Sequence, residues 1–234
     1  YAAIIAIILS SSFGLYTWMN NPESQMVAVT VRAGSKAEMA LPDGTFVHLN
    51  AATNLEYDVN NSKQRLVKLS GEAFFDVAKN PDCPFKVIIN DLQIEVVGTS
   101  FNVKTYKKDI VETSLLSGRI RISGGSLPHE YTLSPGQKAT YSAMDRTLRI
   151  SKADAHVEAG WRDNYLIFES TPLIDVIAQI ERWYGVEIRL HHKQIAQDLL
   201  SGSFRNESIQ NVIRSLSIQY GFKYEIHKDI ITIY

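Results

Sequence analysis

The sequence predicts a mainly β amino-terminal domain (a twisted β-solenoid, a roll or a sandwich) followed by a small α+β module. Short runs of alternating apolar and polar residues follow one another from Met26 to about Ala153, and turn signals separate them. Many short, evenly spaced strands are typical of these all-β architectures. After Trp161 a helical pattern appears twice. We therefore predict an all-β domain over residues 26–155 and an α+β module over residues 160–234.

Before the β domain, the chain opens with a run that contains no charged residue until Glu23. As a helix, residues 1–18 would span about 27 Å, close to the ~30 Å hydrocarbon core of a bilayer. Tyr16 and Trp18 lie where an interfacial aromatic belt is expected. We interpret residues 1–20 as the end of a transmembrane helix with sequence upstream of it; a buried core helix and a signal peptide are the alternatives. The following segment lacks an excess of Lys and Arg, which favours the non-cytoplasmic side.

Within the β domain, Glu72 and Asp76 are the best candidates for a catalytic carboxylate pair. The alternation from Val67 to Val77 predicts a strand, which would place the two side chains roughly 13 Å apart. Glycosidase carboxylates work at about 5–9.5 Å. We therefore interpret Glu72 and Asp76 as part of a solvated or hydrogen-bonded strand face, and we predict no enzyme with a diffusible substrate.

The Gly98–Thr99 bond is the one peptide bond with possible chemistry of its own. A Thr hydroxyl can attack the preceding carbonyl of a strained backbone, and water then cleaves the resulting ester. Glycine lowers the steric cost of such strain. A glycine-containing bulge or turn is the alternative interpretation.

The α+β module consists of two copies of one sequence pattern, 36 residues apart and aligned without a gap. In each copy the apolar residues fall at i, i+3, i+4, i+7 and i+11, which predicts one face of an amphipathic helix. Ser170 or Thr171 can cap the start of the first helix, with Pro172 at its first position. Gly185 and Gly221 stand where a helix end needs a left-handed residue. Each copy therefore reads strand–helix–strand, and we expect a βαββαβ topology with a last strand added and both helices packed on one common sheet.

Composition and motif spacing exclude several functions. A net charge of −1 argues against nucleic-acid binding, which needs a concentrated positive surface. Cys83 is the one cysteine, so the chain has no intrachain disulfide and no Cys-based zinc cluster. The six histidines show no metal-ligand spacing, and the phosphate-loop, GxGxxG and GxSxG patterns are absent from the sequence. We predict no catalytic residues, no metal and no cofactor.

A membrane tether, a β-rich body and a small module with exposed sheet edges are typical of a receptor for protein contacts, because free edges favour β-augmentation by a partner. Trp161, Trp183 and Tyr184 are candidate partner-binding residues, since interfaces are enriched in aromatic side chains. Core packing is the alternative role for them.

The motifs resemble the FecR-type transmembrane regulators of cell-surface signalling, in the variant common in Bacteroidetes. The resemblance covers about nine-tenths of the chain and is carried by LPDGTFVHLNAATNLEY, RLVKLSGEAFFDVAKNPDCPF, VVGTSFNVKTY, LSPGQKATY and FESTPLIDVIAQIERWYGVEI. It departs from the family at Asp58, where a Pro usually follows the Tyr, and in the loose strand motif SLLSGRIRI.

The resemblance implies an anti-sigma factor with a cytoplasmic region, one inner-membrane helix and a periplasmic sensor. This chain corresponds to the periplasmic sensor together with the end of the membrane helix. The sensor's C-terminal part is similar to the short signalling domains of secretins and TonB-dependent transporters. The implied partners are the N-terminal signalling domain of such a transporter and, through the missing cytoplasmic part, an extracytoplasmic-function sigma factor. Some family members are cut at a Gly-Thr bond, which makes Gly98 and Thr99 candidates for self-cleavage.

A membrane-tethered carbohydrate-binding or adhesive β-domain is the alternative from another class of protein. It predicts an aromatic platform for glycans, with the duplicated module serving as a spacer.

Overall fold

The computed structural model describes residues 11–12, 25–59, 65–191 and 193–234. The predicted membrane helix at residues 1–20 therefore lies outside the described residues, apart from Ser11 and Ser12. Within the described ranges, no helix is both long and apolar enough to cross a membrane.

Short strands make up most of the described part of residues 26–152, as the alternating pattern predicts. In chain order they are β1 Met26–Val31, β2 Ala37–Ala40, β3 Phe46–Leu49, β4 Thr53–Asp58, β5 Arg65–Ser70, β6 Glu72–Asp76, β7 Phe85–Ile89, β8 Leu92–Val96, β9 Ser100–Lys104, β10 Ile110–Ser117, β11 Ile120–Gly124, β12 Tyr131–Leu133, β13 Gln137–Ser142 and β14 Thr147–Lys152. We refer to residues 26–152 as the β domain.

These strands form two seven-stranded sheets that share one core. Sheet A has the order β1-β4-β5-β7-β8-β11-β12, and sheet B has the order β14-β13-β10-β9-β6-β3-β2. The chain passes back and forth between the sheets, so that β5 and β7 pair in parallel in sheet A while β6 lies between them in sequence but in sheet B. Alternation decides which side chains enter the core: in β5, Val67 and Leu69 are buried whereas Lys68 and Ser70 are exposed. A mainly β domain is confirmed.

A short helical linker follows sheet B and leads into the α+β module. The linker, residues 155–164, contains helix α1 Ala155–Ala159 and the 3-10 turn Gly160–Asp163, and it ends at Asn164 in a left-handed conformation. The module, residues 165–234, contains β15 Tyr165–Pro172, α2 Leu173–Tyr184, β16 Glu187–Leu190, a 3-10 turn Lys193–Gln197, β17 Leu199–Arg205, α3 Ile209–Tyr220, β18 Tyr224–His227 and β19 Ile230–Ile233.

The two module helices match the repeated pattern, and both end at the predicted glycines. Gly185 and Gly221 adopt φ values of +69° and +70° and donate their backbone N–H to the carbonyls of Glu181 and Ser217. The start of α2 differs from the prediction. Its N-cap is Pro172, whose side chain has no polar atom to cap the helix, and the Thr171 hydroxyl bonds to the Glu169 backbone.

The prediction of one common sheet in the module is wrong. The strands that precede the two helices, β15 and β17, form a two-stranded antiparallel sheet. The strands that follow the helices form a separate sheet in the order β16-β19-β18, and both sheets pack with the helices around one core. The reason is that an alternating pattern identifies a strand but carries no information about which strand it pairs with.

Candidate functional site: the interface between the β domain and the module

The outer face of sheet B carries the contact between the two parts of the chain. Phe74 projects outward from β6 and is only 4% exposed, because the linker lies over it. Phe74, Ala159 and Trp161 form a small apolar cluster, against which Leu116 and Trp183 also pack. The guanidinium carbon of Arg162 lies 3.6 Å from the centre of the Phe74 ring. The linker is therefore seated on sheet B by aromatic contacts.

A chain of buried polar side chains runs beneath this cluster. The indole N–H of Trp161 donates to Asn102 Oδ1 over 3.1 Å, and the Asn102 amide donates to Glu72 Oε1 over 3.0 Å. The Asn50 amide donates to the other carboxylate oxygen of Glu72 over 2.7 Å. Glu72 is 7% exposed, so these two amides provide the hydrogen bonds that water would otherwise supply. Glu72 thus anchors the linker, whereas Asp76 is exposed and accepts from the Ser100 hydroxyl.

Cationic side chains and one glycine N–H join the β domain to the linker and the module. Lys36 Nζ donates to the Trp161 carbonyl over 2.6 Å and to Asn164 Oδ1 over 3.0 Å, and it lies 3.7 Å from the centre of the Trp183 ring. Lys107 Nζ donates to Asp175 Oδ2 over 2.6 Å. Two further contacts are the Arg182 guanidinium, 4.2 Å from the Tyr106 ring centre, and the backbone N–H of Gly34, which donates to the Arg182 carbonyl over 2.8 Å.

Burial in this interface perturbs the ionisable groups. Desolvation lowers the pKa of Lys36 to about 8, and the negative charges of Glu72 and Asp163 only partly oppose it. Burial also lowers the pKa of Arg182, and burial together with the Glu72 charge raises the pKa of Tyr106. These shifts mark an interface that is closed enough to exclude part of the solvent.

A cleft of about 420 Å³ opens beside the interface, between sheet B, the linker and the module. Several of its charged side chains are paired with one another: Lys138 Nζ lies 3.1 Å from Glu112 and 3.0 Å from Glu158, and Lys107 pairs with Asp175. Burial disfavours the charge on Lys138, but the two glutamates outweigh it and raise the pKa of this lysine. Within the described residues, no group of three or more His, Cys, Asp or Glu side chains is placed to hold a metal ion. Mutual pairing of this kind is typical of a structural interface.

The structure places the self-cleavage candidates Gly98 and Thr99 at the turn before β9. The Thr99 hydroxyl is buried, donates to the Arg119 carbonyl over 3.1 Å and accepts from the Arg119 N–H over 3.4 Å. A Cβ on Gly98 would lie 2.9 Å from the Lys79 Cα, so close packing accounts for the glycine. Self-cleavage stays a prediction.

The three predicted partner-binding aromatic residues all make contacts within the chain. Trp161 is buried against sheet B, the Trp183 ring is covered by Lys36, and the Tyr184 hydroxyl donates to the Glu207 carbonyl over 2.8 Å. Their binding of a partner stays a prediction. Sequence reasoning missed Lys36 and Asn102, because the linker residues that they bond, Asn164 and Trp161, lie more than 50 residues away along the chain.

Among the edge strands of the module, β17 is the one whose open side carries the smallest side chains at its centre. β17 pairs with β15 along one side, and among the described strands none pairs along its other side. Ser201, Gly202 and Ser203 are exposed, and nothing lies within 4 Å of a Cβ placed on Gly202. Small side chains leave the backbone groups of this edge accessible to another strand.

The fold and the interface define a class of protein: a two-sheet β domain that carries a duplicated α+β module, docked through polar and aromatic contacts. The chain belongs to the FecR family. The FecR protein family model matches residues 27–121, and the FecR C-terminal family model matches residues 165–233.

Solved structures agree with this assignment. A crystal structure at 1.65 Å of a candidate anti-sigma factor from Parabacteroides distasonis is 30% identical, with a TM-score of 0.80 over 89% of this chain and 98% of that chain. A second crystal structure, at 2.50 Å and with the same description, is also 30% identical, with a TM-score of 0.81 over 90% of this chain and 99% of that chain. Among curated proteins, none matches the chain.

Proposed function

We propose that this chain is the periplasmic sensor part of a cell-surface signalling regulator, held in the inner membrane by a single helix at residues 1–20. In this role it relays the state of a TonB-dependent outer-membrane transporter to an extracytoplasmic-function sigma factor. The sigma factor binds a cytoplasmic anti-sigma region that precedes the membrane helix.

The observation that carries the proposal is the match of both parts of the chain, in order, to the FecR family. The similarity to a candidate anti-sigma factor over about nine-tenths of the chain supports the same role in sigma-factor signalling. The paired charges of the interdomain cleft also suit a protein that works through contacts rather than turnover.

The open edge of β17 suits the docking of a transporter signalling domain. A partner strand added there would satisfy backbone groups along Leu199–Arg205, and alternate side chains would supply specificity. We therefore place the transporter contact on this edge.

Capture experiments test this assignment. Immobilised N-terminal signalling domains of the TonB-dependent transporters encoded beside this chain should capture the wild-type protein. The double variant Gly202→Lys and Ser203→Lys should lose at least tenfold in affinity, because charged lysines on an edge strand oppose strand addition.

The matched control is Ile218→Lys with Gln219→Lys, which adds the same charge to the exposed face of α3. Retained capture by this control, together with loss by the β17 variant, supports the proposal. Equal capture by both variants contradicts docking at β17, and no capture of any neighbouring transporter domain contradicts the relay itself.

The carbohydrate-binding alternative has less support. It needs an aromatic platform that faces solvent, whereas Trp161 and Trp183, the tryptophans among the described residues, both contact the chain itself. Glycan-array binding by the wild-type chain that is lost in Trp183→Ala would favour this alternative.

Self-cleavage at Gly98–Thr99 forms a separate part of the proposal. If it occurs, the purified chain should run as two fragments, and Thr99→Ala should run as one. A single intact band for the wild-type chain, unchanged in Thr99→Ala, removes this part and leaves the signalling role untouched.

A further inference from the structure

The two parts of the chain have separate cores and share little apolar surface. Among the described residues, 25 buried side chains form the β-domain core and 14 form the module core. The cluster between the parts holds three buried residues, Phe74, Ala159 and Trp161. Two of those three belong to the linker. Because interdomain contacts of this size resemble transient interfaces, relative motion of the module is expected.

The linker is attached to the β domain more firmly than the module is. Trp161 is 6% exposed, and its indole N–H is tied to Glu72 through Asn102. Glu158 adds an ion pair with Lys138 of sheet B, at 3.0 Å. A buried, fully bonded polar network fixes one geometry, so the linker stays with the β domain when the module moves.

The module meets the β domain through the pairs Lys107–Asp175 and Arg182–Tyr106, and also at a contact between two backbones. Gly34 and Gly185 both adopt positive φ values and approach so closely that a Cβ on Gly185 would lie 3.1 Å from the Ala33 carbonyl oxygen. A contact made by backbone atoms alone offers no side chain to interlock. It therefore suits a pivot, as does the left-handed Asn164 at the boundary between linker and module.

Lys36, on the β domain, contacts both the linker and the module. Its ammonium group bonds to the Trp161 carbonyl and the Asn164 amide on the linker, while it lies against the Trp183 ring on the module. The hydrogen bonds and the ring contact favour the closed position. The cost of burying a charge opposes them, so the contact is strong enough to hold the module and weak enough to release it.

We propose that residues 165–234 swing as a unit about Asn164 and the Gly34–Gly185 contact, and that Lys36 is the latch that holds the module closed on the β domain. The latch involves contacts within this chain alone. It therefore stands or falls independently of the transporter, the sigma factor and the membrane.

Distance measurements by electron paramagnetic resonance test the latch on the full chain. Spin labels are attached to cysteines placed at Arg149 on β14 and at Ile218 on α3, both exposed, in a Cys83→Ser background. The parent chain should show one narrow distance distribution. Lys36→Ala should add a second, longer population that is at least threefold larger than any in the parent chain.

Matched variants separate a latch from a general loss of structure. Lys107→Ala removes a lysine from the same interface, but one whose side chain is 62% exposed, and its distribution should stay narrow. Lys36→Arg keeps the donors and the ring contact and should restore the narrow distribution. A label pair at Arg149 and His156 should be unchanged in every variant, because the linker does not move.

Three results overturn the proposal: an unchanged distribution in Lys36→Ala, an equal opening in Lys107→Ala, or a parent chain that is already as broad as Lys36→Ala. Movement of the label at His156 along with the module contradicts the pivot at Asn164. Circular dichroism and melting temperature of each variant verify that both parts remain folded.

Discussion

At the residue scale, buried polar side chains decide how loops and linker are held. Arg65 points into the β domain from β5 and is 5% exposed. Its guanidinium donates to the carbonyls of Cys83 and Ala78, each over 2.6 Å, and to that of Asn80 over 3.1 Å. It also pairs with the Asp43 carboxylate at 3.2 Å. One side chain therefore closes the loop between β6 and β7 against the turn before β3.

Replacing this guanidinium tests its role in stability. Arg65→Lys keeps the charge but loses the planar fork of donors, so buried carbonyls lose their partners. We expect the free energy of unfolding to fall by about 3 kcal/mol. Urea denaturation measures it, with Arg121→Lys as the control. Arg121 is 53% exposed and pairs with Glu95 and Glu130, so its loss should be below about 0.5 kcal/mol. Equal losses of unfolding free energy in Arg65→Lys and Arg121→Lys would contradict the stabilising role of the buried Arg65.

The pKa of Lys36 gives a second residue-scale prediction. Burial lowers it from 10.5 to about 8 in the closed form, despite the opposing charges of Glu72 and Asp163. An open form in which Lys36 is less buried binds the proton more tightly, so closing releases it above about pH 8. The neutral amine can still donate to the Trp161 carbonyl and to Asn164 Oδ1, so the latch does not need the charge. We expect closure to strengthen as the pH rises above about 8, and to show no pH dependence through Lys36 below that value.

Tryptophan fluorescence of closure measures this pH dependence. The slope above pH 8 should be present in the wild-type chain and absent in Lys36→Met. If both proteins show the same pH dependence of closure above pH 8, a group other than Lys36 is responsible for it.

At the scale of single elements, the repeated helices show how one local pattern serves two environments. α2 and α3 end in the same way, at a left-handed glycine whose N–H bonds the preceding turn. Around Gly221 the space is open, with nothing within 4 Å of an added Cβ, whereas Gly185 faces the β domain at Ala33. Gly221 therefore serves as a control for Gly185, because it has the same conformation without the contact to the β domain.

Alanine substitutions at the two glycines exploit this difference. Gly221→Ala should cost about 1 kcal/mol of unfolding free energy, because a left-handed conformation disfavours a Cβ. Gly185→Ala should cost at least as much and should also loosen the module, since its Cβ would meet the Ala33 carbonyl oxygen at 3.1 Å. Denaturation gives the stability, and the interdomain spin-label distance gives the position. If the distance distribution of Gly185→Ala is as narrow as that of Gly221→Ala, the close contact between the backbones of Gly34 and Gly185 is not needed to hold the module.

At the scale of the whole molecule, the chain consists of two cored bodies joined through a linker that belongs structurally to the first. Trp161 is the main apolar link between them, because it packs on Phe74 and on the cluster that Trp183 joins. The stability of each body should depend on the other mainly through this side chain. Under the proposed sensor role, this coupling through Trp161 would allow movement of the module to change the stability of the β domain.

Trp161→Ala tests the coupling directly. Loss of a buried Trp costs about 3–5 kcal/mol, and here the loss should fall on the contact between the bodies. We expect calorimetry to resolve two unfolding transitions in the variant that overlap in the wild-type chain. Phe222→Ala, in the module core, is the control and should lower the module transition alone. A single, uniformly lowered transition in Trp161→Ala would contradict two separate bodies.

The sequence by itself determined the division into a β part and a duplicated α+β part, the strand character of Glu72–Asp76, both module helices and their terminal glycines. These features follow from periodicity and backbone preference, which neighbouring residues set. Only the tertiary structure decided which strands pair, and that the module has two sheets instead of one. It also decided that Glu72 is buried under Trp161, and that Lys36 joins linker and module. The physical reason is that burial and pairing depend on groups brought together from distant parts of the chain, and local patterns do not record those groups.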